Sequence, residues 1–484
     1  MKIKYSEKNK VSLLLRIVLI ALIISISSCE KFIDLTPLDR VDATTFYANA
    51  DEVVIGVNGV YASQRSIFGG GSPYMIIETR SDNVAMITTE QAERIEHDTF
   101  EETPGNLNVL NTWTPMYITI NMANSVIESG PNATGDAALI NRCVAEAKFI
   151  RALTYFQLVT LYGGVPLRLT PTTDFTKTVV ARSDESAVYT QIRQDLNDAI
   201  AVLPESYSGS SKNEKGRATK YAALTLLAKV ELQAGNKTAA ETAFRQVIGK
   251  YSLLPNYSSV WAAGNKNTAE AIFEVNFLPD NQTGFGLPST FIPASEAARL
   301  GIKAGGASVL TEFPTKDIID AFEAGDLRKD ASIAFAVDNG QAYISKFMDL
   351  SAGTYGHNIN WIVLRYADVL LSLAETLGEG TEAYGLINQV RTRAGLPDID
   401  AATPGTFTEK LMHERQVEFA FEMHRWNDLL RLPDQEAIDI MKADLLRERG
   451  KEYVITSDNL LYPIPLTEIE VSKGVVTQNP GHEQ

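Results

Sequence analysis

The sequence predicts a mainly α-helical protein, in which a tetratricopeptide-like scaffold of helix pairs supports a half that is rich in loops. Apolar residues recur at every third or fourth position through several long stretches, which is the pattern of an amphipathic helix. Two stretches share the spacing of a tetratricopeptide helix hairpin. Between the helical blocks lie segments rich in Gly, Asn, Thr, Pro and aromatic residues, at 65–108, roughly 252–310 and 331–362. Long loops on a rigid scaffold usually carry function.

The N-terminal segment has the layout of an export signal. Five basic residues precede the aliphatic run 17–26, which is shorter than the roughly 20 residues of a membrane-spanning helix and suits a secretory signal. Ser27, Ser28 and Cys29 follow it. Residues 1–28 are therefore predicted to be a signal peptide, and Cys29 to be the lipidated first residue of the mature chain. An ordinary signal peptide with an incidental cysteine is the alternative, because the usual Leu-Ala-Gly before the cysteine is absent.

The mature chain is strongly acidic. The full sequence carries a net charge of −16, and cleavage before Cys29 leaves 39 basic and 59 acidic residues, a net charge of −20. Such a surface repels phosphate backbones and anionic headgroups, which excludes nucleic acid as a partner and leaves the lipid as the membrane anchor. Cys143 then has no intramolecular partner, so a disulfide framework is excluded.

A long apolar stripe predicts the clearest helix, and its members are Cys143, Ala147, Ile150, Leu153 and Phe156. The helix should end at "LYGGVP", because glycine accepts a positive φ and proline cannot continue a helix. A second helix follows and ends at Pro204, with a stripe at Tyr189, Ile192, Leu196, Ala199 and Leu203.

Two hairpins with tetratricopeptide spacing lie at 222–251 and 366–397. The small Ala240 and Ala383 on the second helix of each hairpin let the paired helices approach closely. Such units bury their apolar faces only by stacking on neighbours. Between them, "AIFEVNF" and "QAYISKFM" alternate enough to be strands, although a continuous sheet is not expected.

The sequence carries no recognisable catalytic motif. "HERQV" has valine where the second histidine of a zinc-protease helix would stand, and the Gly-rich loops lack the helix or lysine that phosphate binding requires. No metal site and no cofactor are predicted. Acidic pairs that suit a glycosidase are expected by chance among 60 acidic residues, so a glycoside hydrolase is a minor alternative.

The stretch "HERQVEFAFEMHRWNDLLRLPD" is the most distinctive in the chain. As a helix it places charged side chains three and four positions apart, which suits ion pairs. Its two histidines, His413 and His424, would then share one face and take surface or capping roles. Glu418, Glu422 and Arg425 are candidates for an active site, but a buried structural network is the favoured interpretation.

Stretches that run nearly from end to end resemble the SusD/RagB family of outer-membrane lipoproteins. They include "SCEKFIDLTPLD", "AEAKFIRALTYFQLVTLYGGVPL", "LRYADVLLSLAE", "INQVRTRAGLP", "ERQVEFAFEMHRWNDLLR" and "LYPIPLTEIE". One departure is Met423, where a glycine is usual. The resemblance implies about four tetratricopeptide-type helix pairs and a loop-rich ligand-binding half, divided into an N-terminal part at about 29–215 and a C-terminal part at about 216–484.

The resemblance also implies a function without catalysis. Proteins similar to this one sit on the cell surface as lids on SusC-like TonB-dependent transporters of the outer membrane. They capture glycans or oligosaccharides, or in some members peptides, for import. The alternatives for this chain are a peptide-binding member of the family and a tetratricopeptide-type scaffold lipoprotein that binds no nutrient. A scaffold would use its concave helical surface, and its loops would be unimportant.

Ligand contacts are predicted in the loops, where aromatic rings stack on the apolar faces of sugars and polar groups bind the hydroxyls. The predicted residues are Phe68, Tyr74, Arg80, Asp82, Asn83, Phe285, Tyr355 and Trp361. Phe68, Tyr74 and Phe285 are favoured, because glycines flank them and leave little local core to join. Trp361 has an equal alternative, which is packing at the entrance of a helix.

Overall fold

The computed structural model describes residues 46–87, 92–174, 179–207, 214, 216–279, 284–301, 310–350 and 356–482. The predicted signal peptide and Cys29 lie outside these ranges. Helices dominate the described chain, and strands are few and short, which confirms the predicted fold class.

Seventeen α-helices lie in the described ranges: α1 Ala50–Phe68, α2 Gly71–Glu78, α3 Ala92–Thr99, α4 Leu107–Ser129, α5 Ala137–Tyr162, α6 Glu185–Val202, α7 Lys220–Gln233, α8 Lys237–Arg245, α9 Ala294–Leu300, α10 Lys316–Ala321, α11 Leu327–Ser332, α12 Tyr366–Leu377, α13 Thr381–Arg393, α14 Phe407–Glu418, α15 Arg425–Leu429, α16 Asp434–Arg449 and α17 Leu466–Val471. The strands there are β1 Val84–Met86, β2 Ala271–Val275, β3 Glu312–Pro314, β4 Ile333–Phe335, β5 Ala342–Ile344 and β6 Trp361–Arg365.

The scaffold is built from consecutive helices that pack side by side, from α4 through α8. Helix α5 contains the stripe that begins at Cys143, which is fully buried as a small apolar residue. Asp136 caps its first turn by accepting from two backbone N–H groups, and Gly163 ends it with a φ of +68°. The predicted end of this helix is confirmed, and local chemistry explains both of its ends.

The two tetratricopeptide-like hairpins are confirmed as α7–α8 and α12–α13. Ala240 and Ala383 are buried where the second helix of each hairpin meets the first. Helix α8 also contacts α12, so the two hairpins stack although more than a hundred residues separate them. This contact buries the apolar faces that a single unit leaves exposed.

The strands form three separate antiparallel pairs, β1–β3, β2–β6 and β4–β5, within the described ranges. This arrangement agrees with the prediction that no continuous sheet forms. The predicted strand "AIFEVNF" is β2, which pairs with β6 through a register shift, and "QAYISKFM" contains β5. Each pair ties a loop segment to the scaffold or to another loop.

The prediction of one helix through the "HERQVEFAFEMHRW" stretch is wrong. Helix α14 ends at Glu418, and α15 begins at Arg425. Between them Phe421 and Met423 have φ values of +71° and +63°, a left-handed conformation that helices do not contain. Glycine, which the resemblance gives as usual at the position of Met423, adopts this conformation without strain.

A buried network of ion pairs holds this turn in place, which agrees with the structural interpretation of the acidic stretch. Arg365 pairs with Glu418, and its Nε donates to Glu422 Oε2 over 2.8 Å. Lys346 Nζ donates to the other oxygen of Glu422 over 2.6 Å. Burial disfavours the charge of Glu418, but Arg393, Arg365 and Arg328 outweigh burial and hold its pKa well below the usual range. All these side chains are buried.

Candidate functional site

The aromatic residues predicted to stack on a ligand are buried. Phe68, Tyr74, Phe285 and Trp361 each expose at most 3% of their surface. A ring without exposed surface cannot cover the face of a sugar, so the prediction that these rings contact a ligand is wrong for this conformation. Their glycine neighbours do supply turns, but the rings find partners that are distant in the sequence.

Three of these rings, those of Tyr74, Phe285 and Trp361, belong to one aromatic core. The Trp361 ring centroid lies 5.9 Å from that of Phe285, 5.4 Å from that of Phe347 and 6.0 Å from that of Tyr74. The Tyr74 hydroxyl also donates to the Phe421 carbonyl over 3.3 Å, beside the turn after α14. Long loops without regular structure need such a core of their own. The predicted ligand residues therefore support the loops from below.

Phe68 and Trp361 also line a small cavity of about 60 Å³. Lys229, Glu422 and His424 contribute polar groups to it. Burial lowers the pKa of His424 to about 3, so the imidazole is neutral. The surface role predicted for His424 is wrong because the residue is buried, and although it occupies the N-cap position of α15, its side chain makes no capping bond. A cavity of this size holds a few water molecules and excludes a sugar ring.

The polar residues predicted with these rings are structural as well. The Arg80 guanidinium lies over the Tyr462 ring, 3.8 Å from its centroid, and pairs with Glu102. Arg425 donates to both carboxylate oxygens of Asp82 over 2.7 Å. Asn83 is buried beside them, where its Oδ1 accepts from Gln416 over 3.2 Å. Tyr355 lies outside the described residues, so its predicted role stays a prediction.

A second apolar cluster lies where the loop segments meet. Its buried members are Ile292, Ala297, Leu310 and Tyr343, and the half-buried residues packed on them are Ile87, Leu300, Phe313, Ala334 and Met348. We call these nine residues the loop cluster. They come from β1, α9, β3, β4, β5 and the segments that flank these elements. Chain segments that are far apart in the sequence therefore converge on one half-exposed surface.

The hairpin β4–β5 carries an exposed aromatic ring next to this cluster. Phe335 exposes 50% of its surface and is the one aromatic side chain among the strongly exposed apolar residues of the described chain. Its neighbour Ala334 packs on the loop cluster and pairs with Tyr343. Strand alternation turns Phe335 to the other face of the hairpin. The ring is thus available to stack on a flat apolar partner.

The turn that follows Phe335 carries polar residues. Asp338 and Asn339 are exposed in the turn that joins β4 to β5, and Gln341 follows them. The hairpin is fixed to α9 because the Val337 N–H donates to Glu296 Oε1 over 2.6 Å. This bond lowers the pKa of Glu296, so the anchoring carboxylate stays charged at neutral pH. An exposed ring with amide and carboxylate groups on a fixed hairpin suits binding of a hydroxyl-bearing molecule.

Sequence analysis missed Phe335, although signals for it were present. "IAF" and "AYI" flank a turn that contains Asn339-Gly340, and Asn-Gly between alternating segments is a strong hairpin signal. In the structure the loop is longer than a two-residue turn and spans residues 337–340, and Gly340 closes it with a φ of +73°. Recognising the hairpin would have placed Phe335 on one face and Ala334 on the other.

No group of three or more His, Cys, Asp or Glu side chains in the described ranges is arranged to hold a metal ion. Among the helices of those ranges, none combines the length and apolarity that crossing a membrane demands.

Two family profiles match the sequence. One describes the SusD family and matches residues 326–482, and the other describes starch-binding proteins associating with the outer membrane and matches residues 35–232. The chain belongs to the SusD/RagB family. The division of the mature chain near residue 215 stays a prediction.

Individual relatives agree over most of the chain. SusD-like protein P25 of Formosa agariphila is 28% identical, and the match covers 94% of this chain and 96% of the relative. Starch-binding protein SusD of Bacteroides thetaiotaomicron is 26% identical over 70% of this chain and 72% of its own. A solved laminarin-binding SusD-like protein has a TM-score of 0.75 and 27% identity, covering 90% of this chain and all of that chain.

Proposed function

We propose that this protein is a non-catalytic outer-membrane lipoprotein that binds a glycan or oligosaccharide at the surface next to the loop cluster. The observation that carries the proposal is the similarity to a solved laminarin-binding SusD-like protein over 90% of this chain and to a starch-binding protein over 70% of this chain. The hairpin with Phe335 supplies the groups that such a ligand needs, namely an exposed ring and adjacent hydrogen-bonding side chains.

The chemistry of sugars explains this combination. A pyranose ring presents apolar C–H faces with hydroxyls at its edge, so a flat aromatic side chain removes one face from water. Phe335 exposes 50% of its surface. Covering that half and the sugar face together contributes about 1.5–3 kcal/mol. The turn of the hairpin then binds the hydroxyls through Asp338 and Asn339.

Membrane attachment belongs to the same proposal. Cys29 carries the lipid, and the mature chain, with its net charge of −20, lacks an electrostatic means of attachment. Cys29→Ala should release the protein from the outer membrane in cells that lack the partner transporter. Full retention of this variant in the membrane fraction would contradict the anchor.

The bound ligand is delivered to a SusC-like TonB-dependent transporter. Mild detergent extraction of native membranes should recover the two proteins together. Recovery of the wild-type protein only as a free monomer would count against delivery and leave glycan binding untouched.

The test of the ligand class is a glycan array probed with the chain that lacks residues 1–29, beside a peptide mixture. We expect binding to a glycan and no release of new reducing ends. Phe335→Ala should weaken the binding by about tenfold or more, which corresponds to 1.4 kcal/mol per tenfold.

The control for this variant is Tyr453→Ala, since Tyr453 is a half-buried ring on a loop after α16 and is not part of the loop cluster. Binding to peptides alone would identify a peptide-binding member of the family. Binding to neither class would favour the scaffold alternative.

A further inference from the structure

A polar cleft of about 340 Å³ lies beside the second half of helix α1. We call it the α1 cleft, and the residues that matter for its chemistry are Asn58, Tyr61, Gln64, Arg65, Arg217 and Asn276. Its volume falls in the range of roughly 300–1,000 Å³ that is usual for small-molecule sites. None of its lining residues belongs to the loop cluster or to the hairpin of Phe335. The cleft is therefore a site of its own.

Gln64 is the unusual residue of this cleft. Its side chain is 1% exposed, and neither the amide oxygen nor the amide nitrogen has a hydrogen-bond partner. Buried amides are almost always paired, because leaving them unpaired costs stability. The last torsion of a glutamine is broad, so the amide can turn toward a bound molecule while α1 stays in place. A ligand with both donors and acceptors would satisfy it.

The other polar groups restrict the ligand further. Arg217 donates to Glu146 and Asn58 over 2.6 Å in each case, while its Nε has no partner. Glu274 is already satisfied, because it accepts from the Asn267 N–H and the Asn360 amide. The available groups are thus one amide and guanidinium donors, without an unpaired carboxylate. This set suits hydroxyl groups, which can both donate to the amide oxygen and accept from the N–H groups.

An aromatic wall completes the cleft. The Tyr61 hydroxyl already accepts from the Ala218 N–H over 2.9 Å, so the half-buried ring contributes its apolar surface beside the Arg217 guanidinium, whose Cζ lies 5.6 Å from the ring centroid. Gly216, with a φ of +90°, brings the opposite wall close, and a Cβ there would collide with the Asn276 amide. A flat apolar surface beside an amide and guanidinium groups matches one face and one edge of a pyranose ring.

We propose that the α1 cleft is a second saccharide subsite, which takes one hydroxyl-bearing pyranose unit independently of Phe335. This inference rests on the proposed glycan-binding function and adds a site to it. Gln64 and Arg217 bind the hydroxyls, and the Tyr61 ring covers the apolar face. The Gln64 amide then lowers the stability of the free protein, because it gains its hydrogen-bond partners only when the ligand binds.

The test is a ligand-observed NMR titration of the mature chain with glucose and with short β-1,3- and α-1,4-linked glucose oligosaccharides. It compares the wild type with Phe335→Ala, Gln64→Met and the double variant. Phe335→Ala should retain a weak site, and adding Gln64→Met should weaken that site by about tenfold. Gln64→Met alone should raise the thermal midpoint, because it replaces an unpaired amide by an apolar chain of similar length.

A second variant separates ligand binding from folding. Ala62 is exposed on α1 and lines the cleft, so Ala62→Trp should fill the cleft and abolish the residual binding without unfolding the protein. Two results would overturn the inference while glycan binding by the wild type stands. One is that Phe335→Ala shows no residual binding, and the other is that neither Gln64→Met nor Ala62→Trp changes the residual binding. A wild type that binds no saccharide would contradict the proposed function and the inference together.

Discussion

Phe285→Ala separates the two roles that this ring could have, ligand contact or support of the loops. The Phe285 side chain is fully buried, and its ring centroid lies 5.2 Å from that of Phe277 and 5.9 Å from that of Trp361. Its backbone carbonyl accepts from the His357 N–H over 3.3 Å, and this bond does not depend on the side chain. The substitution therefore removes a buried ring and leaves the backbone pairing intact.

The expected cost follows from the lost burial and the cavity left behind. Truncating a buried phenylalanine to alanine costs about 3–5 kcal/mol. That is a large part of the roughly 5–15 kcal/mol by which a domain is stable. At a temperature where the variant remains folded, its affinity for the glycan should change only slightly, because the ring does not contact the ligand.

Urea unfolding at 25 °C measures the stability change, and calorimetric titration with the glycan measures the affinity. Phe335→Ala is the matched control, since its exposed ring should show the opposite pattern. Its stability should change by less than about 1 kcal/mol, while its affinity falls about tenfold or more. A Phe285→Ala variant of unchanged stability but much weaker binding would refute the assignment of this ring to the core.

Substitutions at three further positions test other parts of the structure. Glu418→Gln leaves three buried arginines without their shared carboxylate. It should lower the free energy of unfolding, measured in urea, by about 3–5 kcal/mol. A decrease of less than about 1 kcal/mol would contradict the network. Burial raises the pKa of Asp444 to about 9 from an ordinary 3.8, so the folded protein binds this proton more tightly than the unfolded chain does. Between pH 4 and 9 the free energy of unfolding of the wild type should therefore fall by up to about 1.4 kcal/mol per pH unit relative to that of Asp444→Asn. Parallel pH curves of the two proteins would contradict this effect. At position 423 the glycine variant should be more stable than the alanine variant by about 1 kcal/mol, the reverse of the usual order, because the φ there is +63°.

The helical scaffold could be predicted from the sequence because its signals are local. The stripes in α5 and in the hairpins α7–α8 and α12–α13 recur within a few turns, and the caps of α5 at Asp136 and Gly163 lie beside the residues they terminate. Periodicity and caps depend on neighbouring residues, so they can be recognised in the sequence alone.

The break after Glu418 could not be predicted in this way. The turn is held by the Tyr74 hydroxyl, which donates to the Phe421 carbonyl, and by Glu78, which accepts from the Met423 N–H over 2.7 Å. Both partners lie more than three hundred residues away in the chain. Apolar periodicity continues through the turn, and only these long-range contacts reveal that the helix stops.

Prediction of the ligand site from the sequence was limited in the same way. Glycines near Phe68, Tyr74 and Phe285 indicated exposed loop tips, yet all three side chains are buried. The Tyr74 ring packs on Phe291 and the Phe285 ring on Phe277, contacts that the local sequence does not indicate. Phe335 was within reach of local reasoning, because the Asn339-Gly340 turn specifies its hairpin. Gln64 was not, since its unpaired amide is visible only once its surroundings are known.

The most direct measurement of the central claim is a crystal structure of the mature chain with the glycan that the array identifies. A sugar ring should lie against the Phe335 ring next to the loop cluster, with its hydroxyls bonded to the β4–β5 turn. A sugar bound on the concave surface of the helix pairs, with Phe335 exposed to solvent as in the free protein, would contradict the claim.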